Sequence, residues 1–269
     1  MKTIVITGAS SGIGAAAARR LAADGARVVV VGRDERRTHE IADEIGAERH
    51  VADFARLSDV HELAEALNRL DRLDVLVNNA GAVFAERTLT EDGFEKTFQV
   101  NHLAGFLLTR LLLPLLVASR ASVVTTSSMA HLGGRIDLAD LQLERGWSPW
   151  RAYSNAKLAN VLFTRGLHRH HVLDGVHAAA FHPGAVATRF GTQGGFSELI
   201  FGSPVGRRLM ASPEQGADTL IWLAQRTPPR DWVPGAYYAK RKLARTNRQA
   251  GDSGFVDAFW ARSARLVEV

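Results

Sequence analysis

Short apolar runs alternating with helix-period segments predict an α/β chain, a parallel sheet with helices on both faces. Two observations carry that expectation. Val28-Val29-Val30-Val31 is an unbroken β-branched run, as a strand buried on both faces requires. Ahead of it, the apolar run Lys2–Thr7 gives way to a glycine-rich turn and then to an alanine-rich helical period.

Lys2–Thr7 reads as the first strand and Ile13–Asp24 as the first helix, stopped by Gly25. Arg27–Gly32 is the second strand, and Glu35–Ile45 a helix ended by Gly46. The unit repeats with strand Glu48–Ala52, helix Ser58–Leu70 with Ser58 as its N-cap, and strand Asp74–Asn78. A long helical pattern follows over Thr90–Leu116. Ala121–Thr126 reads as a strand, Tyr153–His170 as a helix and Val176–His182 as a strand. Ser212–Ala224 is a further helix and Tyr237–Ala239 a last short strand. Three segments break the rhythm. Residues 132–151 form a long insertion, 190–210 are rich in Gly, Ser and Phe and read as a substrate lid, and the tail after Lys240 is basic, then aromatic. No linker or composition shift divides the 269 residues. The expectation is a single doubly wound Rossmann-type domain over 1–269.

Composition narrows the chemistry. At 46% hydrophobic and 23% charged the chain is in the globular range. The lack of cysteine excludes disulfides, thiolate catalysis and sulfur-ligated zinc, and fits a reducing compartment. The longest apolar run, around Leu111–Val117, is far below the roughly 20 residues of a membrane span, and no secretory signal is visible, so the expected location is cytoplasmic. Net charge is +5, densest at Lys240-Arg241-Lys242 with Arg245 and Arg248. That stretch suits an anionic substrate or a membrane surface, or is simply solvated; we favour the last. Nucleic-acid binding lacks a recognisable module. His168, His170 and His171 show no carboxylate partner in the sequence and read as surface histidines, so no metal site is expected.

The turn Thr7-Gly8-Ala9-Ser10-Ser11-Gly12-Ile13-Gly14 sits where the first strand meets the first helix. Glycines there let backbone approach a pyrophosphate, and the helix N-terminus offers N–H donors. A tight turn alone would also explain glycines. Its place in the first βα turn favours the dinucleotide reading.

Further segments fall in order behind it: Asn78-Asn79-Ala80-Gly81, Asn101, Ser128, Tyr153-Ser154-Asn155-Ala156-Lys157, and His182-Pro183-Gly184 with Thr188. Together they resemble the short-chain dehydrogenase/reductase family over almost the whole chain. The resemblance implies a nicotinamide-dependent enzyme acting on a small-molecule carbonyl or alcohol, and a homodimer or homotetramer. It assigns catalysis to Asn101, Ser128, Tyr153 and Lys157. Cofactor contacts are expected from Thr7, Gly8, Ser10, Ser11, Gly12, Ile13 and Gly14, then from Asn79, Ala80 and Gly81. Asp53 and Phe54 resemble the positions near the adenine; Pro183, Gly184, Val186 and Thr188 those at the carboxamide.

In this family an acidic residue ending the second strand favours NAD, and an arginine accommodates the 2′-phosphate of NADP. Here the strand ends Val31-Gly32-Arg33-Asp34, with Gly32 in the acid's place. A surface arginine is the plainer reading, and Asp34 is a competing charge. We favour NADP(H) over NAD(H), because a guanidinium forms a charge-assisted fork on phosphate.

Tyr153 and Lys157, four apart, share one helix face. On its own such a pair is ordinary packing. Read with the other motifs, the ammonium together with a positively charged oxidised nicotinamide is expected to favour tyrosinate and lower the tyrosine pKa, making a usable acid–base near neutrality. Ser128 would hydrogen-bond the substrate oxygen, with Ser127 structural. Asn101 resembles the asparagine that holds a water linking the lysine to solvent. The spacing from Ser128 to Tyr153, 25 residues, is longer than in the family's shorter members and resembles the retinol-dehydrogenase-like and WW-domain-oxidoreductase-like branch. That implies a bulky apolar substrate. Trp147 and Trp150 in the insertion would either line its pocket or anchor the loop. The alternatives are a non-catalytic nicotinamide sensor or scaffold, which typically lacks the Tyr or Lys, and a different Rossmann enzyme such as a methyltransferase.

Overall fold

A computed structural model describes residues 1–184 and 211–267. The first strand, β1 (Thr3–Thr7), is buried along its whole length and pairs in parallel with β2 (Arg27–Gly32), Thr3 opposite Arg27 and Thr7 opposite Val31. Between them runs α1 (Gly12–Ala23). Helix α2 (Glu35–Ile45) leads to β3 (Glu48–Val51), and α3 (Leu57–Leu67) to β4 (Val75–Asn78). A broken helical stretch follows: α4 (Lys96–Phe98), a π-turn over Gln99–Leu103, α5 (Ala104–Leu111) and α6 (Leu113–Ser119). Then come β5 (Ser122–Thr126), a 3-10 turn (Met129–Gly133), α7 (Pro149–His171) and β6 (His177–His182). The chain closes with α8 (Pro213–Gln225), β7 (Tyr237–Ala239), β8 (Lys242–Leu243), α9 (Arg248–Gly251) and α10 (Ser253–Val267).

The eight strands form one sheet in the order β3-β2-β1-β4-β5-β6-β7-β8, parallel up to the antiparallel β7–β8 pair. One apolar cluster joins α1, α2 and α8 to one face, and another joins α3, α5, α7 and α10 to the other. This is the doubly wound arrangement expected. Strand order reverses between β1 and β4, which opens a crevice at the carboxyl ends of those strands.

Four expectations need correction. The helix expected from Thr90 begins only at Lys96. Gly93 takes a left-handed φ of 80°, Leu89 bridges Glu95, and the Glu95 carboxylate caps the N–H groups of Thr97 and Phe98. Ser58 does not cap α3; Arg56 holds that position, and the Leu57 N–H donates to Asp92. Helix α7 starts four residues before Tyr153, because Ser148 caps it through the Arg151 N–H and Pro149 follows. The tail is not merely solvated: α10 buries Val256, Phe259 and Trp260, with Trp260 stacked 4° from parallel on Phe163. Among the described residues no single helix is long and apolar enough to cross a membrane.

Candidate active site

The glycine turn after β1 and the segment after β4 meet at the strand-order reversal. Thr7 is the fastener. Its buried hydroxyl donates to the Val77 carbonyl and accepts the N–H groups of Asn79 and Ala80. Asn79 returns the contact, donating to the Thr7 and Gly8 carbonyls while accepting from Thr126. Its side chain is thus fully engaged within the protein. The two segments touch so closely that a Cβ on Gly8 would lie 2.8 Å from Ala80 Cα, and one on Gly14 would penetrate the Gly8 carbonyl. Glycine at both positions is a packing requirement, and Gly8, at φ 66°, is also left-handed.

This junction floors a cleft of about 500 Å³, reached by Gly8, Ser10, Ser11, Gly12, Ile13 and Gly14 and by Asn79, Ala80 and Gly81. No side chain caps the N-terminus of α1 and no acidic residue stands in its first turn, so its N–H donors face the cleft without a competing anion. Arg33, Asp34, Arg37, Asp53 and Phe54 line the far end. Arg33 is exposed and makes no ion pair among the described residues. Asp34 is committed: it caps α2 through the Arg37 N–H and lies 3.5 Å from the Arg37 guanidinium. Arg37 was not anticipated from the sequence, although its place one turn into the second helix could have flagged it. Gly32 abuts Ser10 and the Thr38 hydroxyl, so no carboxylate fits there. The Asp53 carboxylate accepts the Ala55 N–H, and the Phe54 carbonyl accepts from Gln99.

Ser128, Tyr153, Lys157 and Asn101 converge beside this cleft. Ser128 follows β5 and begins the 3-10 turn, its hydroxyl accepting the Ala130 N–H and hydrogen-bonded to Tyr153. Ser127 points the other way, donating to the Lys157 carbonyl at 2.7 Å, which makes it structural as expected. Lys157 Nζ stands 5.4 Å from the Tyr153 ring centroid, and the lysine is 1% exposed with no hydrogen-bond partner for its ammonium among the described residues. Asn101 sits on the π-turn, a distortion frequent at functional sites. Its amide donates to the Ala82 and Thr97 carbonyls and its oxygen accepts the Ala82 N–H. The side chain is therefore a clamp on the backbone next to Gly81.

The protein's own groups do not by themselves supply the expected tyrosine shift. Burial pushes Tyr153 up to about 12, with the Ser128 hydrogen bond pulling weakly the other way. Burial also brings Lys157 down to about 8. Enclosure costs both charged forms more than the protein's own groups return, so the chain by itself does not lower the tyrosine.

Pro183 and Gly184 end β6, with the Gly184 N–H donating to His182 Nδ1. Val186, Thr188 and the expected lid at 190–210 lie outside the described residues. Trp147 anchors a loop, donating to Glu95, while Trp150 is exposed. His170 and His171 do have carboxylate partners, Asp257 and Asp174, but no group among the described residues could hold a metal. In the basic stretch, Arg241 pairs with Asp218 and the rest is exposed.

The profile of the short chain dehydrogenase family matches residues 2–194. The chain belongs to the short-chain dehydrogenase/reductase family. Within it, the chain falls in the retinol-dehydrogenase-like branch. Human retinol dehydrogenase 13 is 38% identical over 99% of this chain and 84% of its own length. A Streptomyces protein provisionally assigned as a daunorubicin C-13 ketoreductase is 42% identical over 99% of this chain and 92% of its own. A solved Mycobacterium paratuberculosis protein of unassigned activity superposes with a TM-score of 0.81 at 36% identity, covering 100% of this chain and 94% of that one. Two further solved members carry different dinucleotides. A Beutenbergia cavernae chain with bound NADP is 30% identical (TM-score 0.70; 97% and 96% covered). A Brucella melitensis 3-ketoacyl-(acyl-carrier-protein) reductase with NADH is 26% identical (TM-score 0.68; 88% and 95% covered). This short-chain dehydrogenase/reductase is accordingly an NAD(P)-linked oxidoreductase.

Proposed function

We propose that this enzyme moves a hydride reversibly between NADP(H) and a bulky, apolar carbonyl or alcohol, with Tyr153 as the acid–base. The observation that carries the proposal is the Tyr153–Ser128 hydrogen bond beside a buried, unpartnered Lys157 ammonium at the edge of a dinucleotide-sized cleft.

The residues fit a dinucleotide. The Cβ-free approach at Gly8 and Gly14 and the uncapped start of α1 suit a pyrophosphate, and the Lys157 ammonium needs acceptors such as ribose hydroxyls. When bound, the nicotinamide supplies the hydride chemistry and, oxidised, a positive charge beside Tyr153. Tyr153 then gives its proton to the substrate oxygen in reduction and takes it back in oxidation. Ser128 donates a hydrogen bond to the same oxygen as its charge grows. Lys157 binds, and its ammonium favours the tyrosinate once acceptors stabilise it. Asn101 holds the backbone at Ala82 and so the wall facing Lys157.

Arg33 supports NADP(H): it is exposed at the cleft, while Asp34 is engaged in capping α2. A bulky substrate is supported by the long 132–151 segment beside Ser128 and by the similarity to retinol and polyprenol dehydrogenases. A cytoplasmic location and a homo-oligomer belong to the same proposal; light scattering reads the latter. A non-catalytic sensor is disfavoured because Tyr153 and Lys157 are both present and juxtaposed. The deciding experiment is NADPH consumption at 340 nm against a panel of aromatic and polyisoprenoid carbonyls. Tyr153→Phe should abolish turnover and leave NADPH binding intact; an unchanged rate would remove Tyr153 from the mechanism.

A further inference from the structure

Three residues beyond Ser128, on the same 3-10 turn, His131 is completely enclosed. It supplies two donors to one acceptor. Its backbone N–H reaches the Ser128 carbonyl at 3.1 Å, and its ring Nδ1 lies 2.6 Å from the same oxygen. A carbonyl oxygen has no proton to give, so Nδ1 carries the hydrogen and Nε2 is the bare nitrogen. Burial holds the ring neutral, its pKa lowered, with the Ser128 bond opposing that shift and nearby Arg165 adding to it. Nε2 finds no partner among the described residues, as a bare nitrogen of a neutral ring allows.

The ring cannot swing away. The Tyr237 ring of β7 packs against it at 4.5 Å between centroids, and His182 of β6 stacks on Tyr237 at 6.0 Å. The far end of the turn is fixed separately. Asn247 donates to the carbonyls of His131, Leu132 and Gly134, and Asn155 closes on both the N–H and the carbonyl of Arg135. At the serine end the imidazole is the side chain that holds the Ser128 carbonyl, beside the His131 N–H. Ser128 lies two residues beyond the end of β5 with extended dihedrals (φ −153°, ψ 157°), past the last residue paired with β6.

We propose that His131 is the positioning residue for Ser128: its Nδ1–H pins the Ser128 carbonyl, and the pinned peptide aims the Ser128 hydroxyl at Tyr153 and the substrate oxygen. Its catalytic relevance rests on the reading under Proposed function; the hydrogen bond itself does not.

Two measurements test it. In the ¹⁵N-labelled, unsubstituted protein, long-range ¹H–¹⁵N correlations of the His131 ring, assigned by their loss in His131→Asn, should show protonated Nδ1 and bare Nε2. That pattern should hold between about pH 6 and about pH 8. Protonated Nε2 with bare Nδ1, or an imidazolium anywhere in that range, overturns the proposal. In turnover, His131→Asn keeps an N–H donor near the Nδ1 position and should stay within about threefold of the native kcat. His131→Gln, which places its amide near Nε2, and His131→Ala should each lose about tenfold or more, with KM for NADPH unmoved. An asparagine variant that falls as far as alanine while melting at the native temperature also overturns it. Should the native protein reduce no carbonyl, the functional reading fails and the tautomer alone decides His131. The same holds if the variants do not fold.

Discussion

A Cβ on Gly81 would lie 2.5 Å from Asn101 Oδ1 and 3.1 Å from Lys157 Nζ. Asn101 cannot yield easily, because both ends of its amide are tied to Ala82 and to Thr97. The glycine thus sets the distance between the wall of the cleft and Lys157. Gly81→Ala should displace Lys157 or Asn101 by a fraction of an ångström and cut kcat by about 10- to 100-fold, since misplacements near 1 Å cost on that scale. Steady-state kinetics beside a thermal melt check this. A native kcat at a native melting temperature would show that the spacing is not critical.

The buried acid–base pair should leave a signature in stability against pH. Lys157 titrates near 10.5 when unfolded and about 8 when folded. Between those values the unfolded chain holds a proton that the folded chain has released. Stability therefore rises as pH increases from about 8 to about 10, by roughly 3 kcal/mol for a shift of this size. Tyr153 acts in the opposite sense at higher pH. Its folded pKa, about 12, exceeds the ordinary tyrosine value of about 10, so above about pH 10 the unfolded chain loses a proton that the folded chain keeps and stability falls. Lys2 is also lowered by burial and adds to the rise. The test is the difference between chains: urea unfolding from about pH 7.5 to about pH 10 should show a shallower rise in Lys157→Met than in the native protein. Parallel curves would mean that Lys157 is not held below its ordinary value.

Sheet and cleft were legible because their signals are local. The β-branched run Val28–Val31 favours a doubly buried strand, the glycines at 8 and 14 are dictated by close backbone approach, and Gly12 by a left-handed φ of 56°. What stayed hidden depends on contacts between distant segments. Gly93 already weakens a helix over Thr90–Glu95, and Asp92, held by the Leu57 N–H and the Gln99 amide, fixes the turn there. In the tail, Phe255, Val256, Phe259 and Trp260 recur at helical spacing, but the basic run before them masked the pattern. Trp260 packs on Gly166 of α7, where a Cβ would meet its ring at 2.7 Å. The tyrosine's environment was hidden for a related reason: spacing showed that Tyr153 and Lys157 are neighbours, but not that both are so deeply buried that burial raises the tyrosine and lowers the lysine.

The choice of dinucleotide can be tested by two substitutions that look alike on paper. Gly32 stands where an acid would select NAD(H), so Gly32→Asp is the obvious switch. Its side chain would run into Ser10 and the Thr38 hydroxyl, which already donates to the Asp34 carbonyl at 2.6 Å. That variant should lose stability and affinity for both dinucleotides alike. Arg33 is exposed, and changing it disturbs no contact. Arg33→Ala should weaken NADPH by about tenfold, the scale of one charge-assisted hydrogen bond, and leave NADH nearly unchanged. Arg33→Asp should go further and favour NADH. Because the guanidinium is solvated, the NADPH advantage of the native protein should shrink as salt rises, whereas that of Arg33→Ala should not. Arg37, 3.5 Å from the Asp34 carboxylate, should contribute less than Arg33. Fluorescence titrations of both dinucleotides at low and high salt read every arm, and equal losses for NADPH and NADH in Arg33→Ala would remove Arg33 as the phosphate contact.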